Sequence, residues 1–323
     1  MADLVSQPVP TFRRLPWLRE LGLLVLLAAV VIGFGARVPG FLTLEFLVNV
    51  VRSSGELGLL AVGMTLIILI GGIDLSVGSM TALAGIVLAV TLLRGEWPLI
   101  AGVAAALAAG AAAGAMNGAL VAWARVPPLI VTLATLSVFR GLAYGIGGEG
   151  SFSGFPPPLL ALGELRLLGL PVVGWWVVTL GVALAIYLAR TRGGRAIYAV
   201  GANAEAARLA GVPVEAVRFR LYVLSGSLAG LAAIYHAAIH GSVRADIGVE
   251  FELRAITVAV LGGTSITGGR GSLVGTLIAL AIVSLLLNGM ELANLPGQRQ
   301  LVVMAGLLVG ALCFDRWLRR PEE

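Results

Sequence analysis

Few side chains in this sequence could do chemistry, and they cluster in a few places. The run Gly71–Ser79, GGIDLSVGS, sets Asp74 and Ser76 among glycines between two apolar stretches. An acid at the centre of a helix in hydrocarbon costs about 2.5–3.5 kcal/mol on insertion scales. Asp74 therefore belongs at a helix break that lines protein or water, or near a membrane interface. Two compatible uses fit it. One is a tight turn in which Asp74 caps the following helix through its side-chain oxygen; the other is an element of a gate or pathway. His236 and His240 stand four apart and could present two imidazoles on one helix face. No cysteine lies nearby and Asp246 is the only close acid, so they read as interfacial polar residues and no metal site is expected. Arg140, Glu56, Glu252 and Arg254 fall at the ends of apolar runs, where pairing, a cavity or simple margin placement accounts for them.

No catalytic residue is expected. There is no G-x-S-x-G, no H-E-x-x-H and no cluster of paired carboxylates in a polar setting. All 22 basic residues are arginine. A phosphate-binding loop needs its lysine, so the chain cannot itself be a P-loop ATPase. Leu224-Ser225-Gly226 lies inside an apolar run and is not an ATPase signature. No cofactor of the chain's own is implied.

The elements that must position these residues are apolar. Hydrophobic residues make up 59% of the 323 and charged residues 12%, about half the charge of a soluble domain. The fold class is therefore all-α, a polytopic transmembrane helix bundle. The net charge of +5 comes from arginines dispersed at the ends of apolar runs, which suits topology control rather than nucleic acid. Cys313 is the single cysteine, so no intrachain disulfide forms.

Apolar segments fall near 21–36, 57–71, 75–93, 98–123, 128–147, 172–189, 217–238, 252–264, 272–290 and 299–315, about ten spans, with 252–264 the shortest. Arg13, Arg14 and Arg19 precede the first, which resembles a signal peptide without a cleavage site and reads as an uncleaved helix. Arg13-Arg14 is not read as a twin-arginine export signal. Placing 190–220 in the cytoplasm puts 14 of the 22 arginines there and gives an N-in, C-in chain. Residues 1–20 and 316–323 are then cytoplasmic tails around a transmembrane domain over 21–315. All six tryptophans, Trp17, Trp97, Trp123, Trp175, Trp176 and Trp317, stand at run ends, where indoles prefer the headgroup level. In the fourth segment Gly102, Ala106, Gly110, Gly114 and Gly118 form a small-residue stripe for close helix packing. Residues 148–171, with three consecutive prolines, read as a semi-rigid external loop. A second polar break, LGGTSITGGRGS at 261–272, resembles the first and hints at a parallel repeat.

The 190–220 stretch carries six arginines and two glutamates between spanning runs. Asn203 is a good N-cap, residues 204–210 are strong helix formers, and Gly211 followed by Pro213 stops them. So short a helix is marginal alone and is expected to pack on something. Its alanine-rich surface suits a protein groove better than a lipid headgroup layer.

With these residues in hand, the chain resembles the permease subunit of monosaccharide ATP-binding-cassette (ABC) importers of the ribose/xylose type, from about residue 44 to the C-terminus. AVGMTLIILIGGIDLSVGS (61–79), YAVGANAEAARLAGV (198–212), ITVAVLGGTSITGGRGSLVGTLI (256–278) and NGMEL (288–292) carry the likeness in order. The resemblance implies a multi-pass protein of the bacterial inner membrane, two copies forming the pore. It also implies a partner ABC ATPase that binds ATP, and an external solute-binding protein that delivers sugar. It would make 203–211 the coupling helix, with Asn203, Glu205, Ala206, Ala207, Arg208 and Gly211 at or near the ATPase. Gly72, Asp74, Ser76 and Gly78 would lie near the translocation path or inner gate. The rivals are a related ABC permease for nucleosides or branched-chain amino acids, an ion-coupled secondary transporter using Asp74, and a membrane scaffold.

Overall fold

The computed structural model describes residues 17–318, with side chains over 21–313. Expectations resting on Arg13, Arg14, Arg319 and Arg320, and on the side chains of Trp17, Arg19, Arg316 and Trp317, lie outside the described residues.

All ten apolar segments fold as helices. The chain opens with α1 (Trp17–Gly35), α2 (Leu44–Ser53), α3 (Gly55–Leu69) and α4 (Val77–Ala89), which runs on as a π-turn over Val90–Arg94. α5 (Leu99–Ala122) and α6 (Pro128–Gly147) follow, then strand β1 (Phe152–Ser153), α7 (Pro157–Glu164) and the hairpin β2 (Arg166–Leu167) and β3 (Leu170–Pro171). α8 (Val172–Arg190), α9 (Arg192–Ala202) and α10 (Ala204–Leu209) lead into α11 (Val214–His240). β4 (Ser242–Val243), α12 (Phe251–Leu261), α13 (Leu273–Leu292) and α14 (Gly297–Leu318) complete the order. β1 pairs antiparallel with β4, Phe152 opposite Val243.

Among the described residues, six helices are individually long and apolar enough to cross a bilayer: α4 with its π-turn, α5, α6, α8, α11 and α13. α2 and α3, bent by 48° at their junction, make a seventh if taken as one span. Within the described side chains, α1 and α14 contribute shorter apolar stretches, Leu21–Gly35 and Gly297–Cys313. The plainest departure is segment 252–264. Its helix, α12, has 11 residues, about 16 Å at 1.5 Å per residue, roughly half of a ~30 Å core. The irregular chain before it, 241–250, turns back along α4. Val243 and Ile247 pack on Gly85, and Gly248 lies against Gly78. Backbone outside a helix needs protein donors inside a bundle. Arg140 of α6 supplies two, bonding the Ala245 and Ile247 carbonyls at 2.6 and 2.7 Å.

The centre of the bundle is α3, all 15 of whose residues are buried, as expected of a helix apolar on every face. The small-residue stripe of α5 meets α11. A Cβ on Gly110 would sit 2.3 Å from the Gly226 carbonyl oxygen, and one on Gly114 would sit 2.2 Å from that of Tyr222. The two backbones touch, so contact comes from dispersion at close range rather than from large side chains. The four described tryptophan side chains stand at helix ends, as expected.

Two connecting stretches are more ordered than the sequence suggests. Within 148–171, Pro157 and Pro158 begin α7 at the positions where a missing N–H is harmless. Gly163 then lets α7 approach the Ala238 carbonyl of α11. Within 190–220, α9 forms in spite of Gly193 and Gly194, because Thr191 caps it by accepting from the Gly194 N–H at 3.0 Å. Gly194 also fits where a Cβ would strike the Leu188 carbonyl. The bundle therefore has an α10 end and, opposite, a β1–β4 end.

Candidate functional site

At the α10 end, three glycine-rich segments meet. The Leu69 carbonyl at the end of α3 accepts from the Gly269 N–H at 2.9 Å. A Cβ on Gly201 of α9 would lie 1.8 Å from that same carbonyl oxygen and 2.5 Å from the Gly269 nitrogen. Gly268, at φ +83°, packs on Gly71, at φ +76°, and on the Gly201 carbonyl. The second polar break is therefore bonded to the end of α3 and packed against both the first break and the helix that precedes α10. Tyr198 of α9 adds a bond from its hydroxyl to the Gly271 carbonyl at 3.0 Å. Burial pushes its phenol pKa up, which keeps it a donor.

Asp74 lies in the first break and is 0% exposed. Its Oδ1 accepts from the Ser76 N–H at 3.0 Å and the Ser76 hydroxyl at 2.6 Å. The Ser76 oxygen in turn accepts from Asn117 Nδ2 of α5 at 2.8 Å, and the Thr132 hydroxyl of α6 donates to the Ile73 carbonyl at 3.0 Å. The expected cap is thus shifted. Ser76 holds the N-cap position of α4 without a side-chain cap bond, and Asp74 closes a turn two residues long before it. Ser225 and Tyr222 of α11 border the same carboxyl group. Gly72 abuts the Tyr222 hydroxyl, and Gly78 abuts the Gly248 carbonyl. All four of Gly72, Asp74, Ser76 and Gly78 are buried in the protomer. Chemically the group is a joint that fastens the α3–α4 break to α5, α6 and α11.

α10 has the bounds read from its caps. Asn203 Oδ1 accepts from the Ala206 N–H at 3.0 Å, and Gly211, at φ +82°, ends the turn. Asn203, Glu205, Ala206, Arg208 and Gly211 are exposed. Ala207 is 4% exposed and faces inward, where it seats the helix. Arg208 is held by Glu215 at 2.5 Å. Leu209, which the sequence reading passed over, is 85% exposed. A leucine in an arginine-rich, water-facing segment was the signal for it.

At the β1–β4 end a cavity of about 470 Å³ opens between α2, α3, α11, α12, α13 and α14. Asn49, Arg254, Asn288, Glu291 and Gln300 give it hydrogen-bonding groups, and Phe251 gives it a ring face. Asn288 and Glu291 come from the NGMEL motif, and Arg254 faces the cavity as its margin position allowed. None of Gly72, Asp74, Ser76 and Gly78 lines it. The histidine pair also lies here. Asp246 is taken by Arg244 at 3.0 Å. The acid that meets the imidazoles is Glu56, whose Oε2 is 3.0 Å from His236 Nδ1 and whose Oε1 is 3.3 Å from His240 Nε2. Glu56, in the first turn of α3, is only 5% exposed despite that margin position.

A family profile described as "Branched-chain amino acid transport system / permease component" matches residues 46–312. The ribose import permease of Escherichia coli (strain K12) is 39% identical over 303 residues, 93% of this chain and 94% of its own length. That of Bacillus subtilis (strain 168) is 41% identical over 285 residues, 86% of this chain and 87% of its own. An autoinducer 2 import system permease of Salmonella typhi is 34% identical over 301 residues, 93% and 86% respectively. No solved structure matches the chain.

Proposed function

The chain belongs to the permease family so described, and on that premise we propose that it is the membrane-spanning subunit of an ABC importer for a monosaccharide. An external solute-binding protein delivers the sugar, a partner ATPase binds ATP and drives the cycle, and two copies of the chain form the pore. With the N-in, C-in orientation the α10 end faces the cytoplasm of a bacterial cell and the cavity faces outward.

The observation that carries this reading is α10. This six-residue helix presents Arg208 and Leu209 to water beside a single buried anchor, Ala207. Its root, α9, is packed through Gly201 on the end of α3 and on the second polar break. A push on α10 is thereby passed to the ends of α3 and to the 261–272 loop without a flexible linker. In this reading Asn203, Glu205, Ala206, Arg208, Leu209 and Gly211 meet the ATPase while Ala207 anchors the helix. Gly72, Asp74, Ser76 and Gly78 act as the joint of the inner gate. The cavity at the other end receives the solute, its amides and charged groups matching a ring of hydroxyls.

Uptake of labelled ribose into proteoliposomes holding the permease, its ATPase and its binding protein tests the proposal. ATP-dependent uptake that needs the binding protein is expected. Uptake abolished by an ionophore and indifferent to ATP would overturn it in favour of an ion-coupled carrier. A second solute class is favoured by the autoinducer 2 import permeases at 34–36% identity. Competition of ribose uptake by unlabelled autoinducer 2 and by nucleosides separates the two.

A further inference from the structure

From the geometry we infer that Glu56, His236 and His240 form a binding site for a divalent transition-metal ion of the zinc class, at the mouth of the outward cavity. Three donor atoms, one from each residue, lie within 4.8 Å of one another. The two Glu56 oxygens divide between the rings, Oε2 lying 3.0 Å from His236 Nδ1 and Oε1 3.3 Å from His240 Nε2, and a donor spacing of roughly 3.3 Å is what a tetrahedral zinc with bonds near 2.0 Å requires. Two imidazoles and a carboxylate are a donor set suited to such an ion, with a position left over for water or a ligand.

The elements hold these donors in place independently of any ion. His236 and His240 are one helical turn apart on α11, their rings 4.4 Å between centroids. Glu56 stands in the first turn of the wholly buried α3. A buried carboxylate requires a counter-charge, and the guanidinium nearest in sequence does not provide it. Arg52 reaches instead toward Glu164 at 3.5 Å. The two imidazoles meet Glu56 at hydrogen-bonding distance, and a divalent cation held by the same three donors would supply a counter-charge as well.

The site opens in one direction. Glu56 and His240 line the cavity beside Asn288 and Glu291, so the free coordination position faces the space assigned above to the solute. An ion there clips α3 to α11 at the cavity mouth. The inference concerns the cluster alone and stands whichever solute the cavity takes.

Cobalt(II) is the probe, added to the untagged full chain in detergent with Cys313→Ser as background. One cobalt per chain with the intense visible bands of a tetrahedral site, displaced by zinc, is expected. His240→Ala, at a half-exposed position, should lose at least tenfold in cobalt affinity while the chain elutes unchanged on size exclusion. His240→Cys should restore binding and add a thiolate-to-cobalt charge-transfer band. Absence of stoichiometric binding, unchanged affinity in His240→Ala, or a His240→Cys complex without that band would each overturn the assignment. A failure of sugar uptake would bear on the proposed function instead, since the cobalt spectrum is read without transport.

Discussion

Gly201 sits so close to Leu69 that a single added carbon would fall 1.8 Å from the Leu69 carbonyl oxygen. That carbonyl is also the acceptor for the Gly269 N–H. One oxygen atom thus holds together α3, α9 and the 261–272 loop. The contact is backbone to backbone, so no side chain can yield to relieve it.

Gly201→Ala is therefore expected to push α9 away from the junction at a cost of about 1–3 kcal/mol, the range for overpacking. Melting of the purified chain should fall by several degrees. ATP-driven uptake should drop more than tenfold while ATPase binding survives, because α10 itself is untouched. Uptake at normal rates would show that the junction does not transmit the stroke.

Arg208 can be separated from its intramolecular role by a charge exchange. Arg208→Glu breaks the pair with Glu215 and is expected to uncouple ATP hydrolysis from uptake with normal insertion. In Arg208→Glu/Glu215→Arg the ion pair returns with its charges reversed. If the arginine serves the ATPase, the double variant stays uncoupled. Full recovery would assign Arg208 to holding α10 alone.

Leu209→Asp replaces an apolar side chain that is already in water. Its effect on the stability of the isolated permease should be within about 0.5 kcal/mol, as for surface changes generally. Co-purification of the ATPase subunit should fall at least tenfold. Retention of the ATPase by this variant would remove Leu209 from the interface.

Asp74→Asn keeps the Oδ1 acceptor for both Ser76 donors and abolishes the charge. Uptake within about twofold of the parent is expected if Asp74 is a joint. A proton- or sodium-coupled carrier that used this carboxylate would instead lose uptake entirely. Asp74→Leu, which strips the acceptor and strands a buried Ser76 hydroxyl, should reduce folded protein by an amount matching about 1–3 kcal/mol.

Glu291→Gln and Asn288→Ala test the cavity. Each should raise the solute concentration for half-maximal uptake by roughly tenfold, about 1.4 kcal/mol of lost binding. Basal ATP hydrolysis by the assembled transporter should not change. Unaltered uptake curves in both would place the solute path elsewhere.

Local features of this protein were legible in the sequence because local rules decide them. The bounds of α10 followed from Asn203 and Gly211, and the α5 stripe followed from glycine spacing alone. What the sequence withheld depends on packing between distant segments. Glu56 lies 180 residues from His236, so Asp246 stood in its place as the nearest acid. α9 was hidden by Gly193-Gly194, whose cost to a helix is offset by the Thr191 cap and by close packing on α8. Ala207 and Leu209, neighbours bar one on α10, face opposite ways. Composition could not tell which of them would touch a partner.

The half-length of α12 bears on how the protein is made. Residues 241–250 bring unbonded carbonyls into the bundle, and the Ala245 and Ile247 oxygens are answered by Arg140. Synthesis runs from the N-terminus, so α6 and its arginine exist about a hundred residues before the segment that needs them. The ribosome thus delivers the donor first and the orphaned acceptors second. A circular permutation that reversed this order would leave the same contacts in the finished protein, yet force the nascent chain to hold bare carbonyls in lipid while it waited.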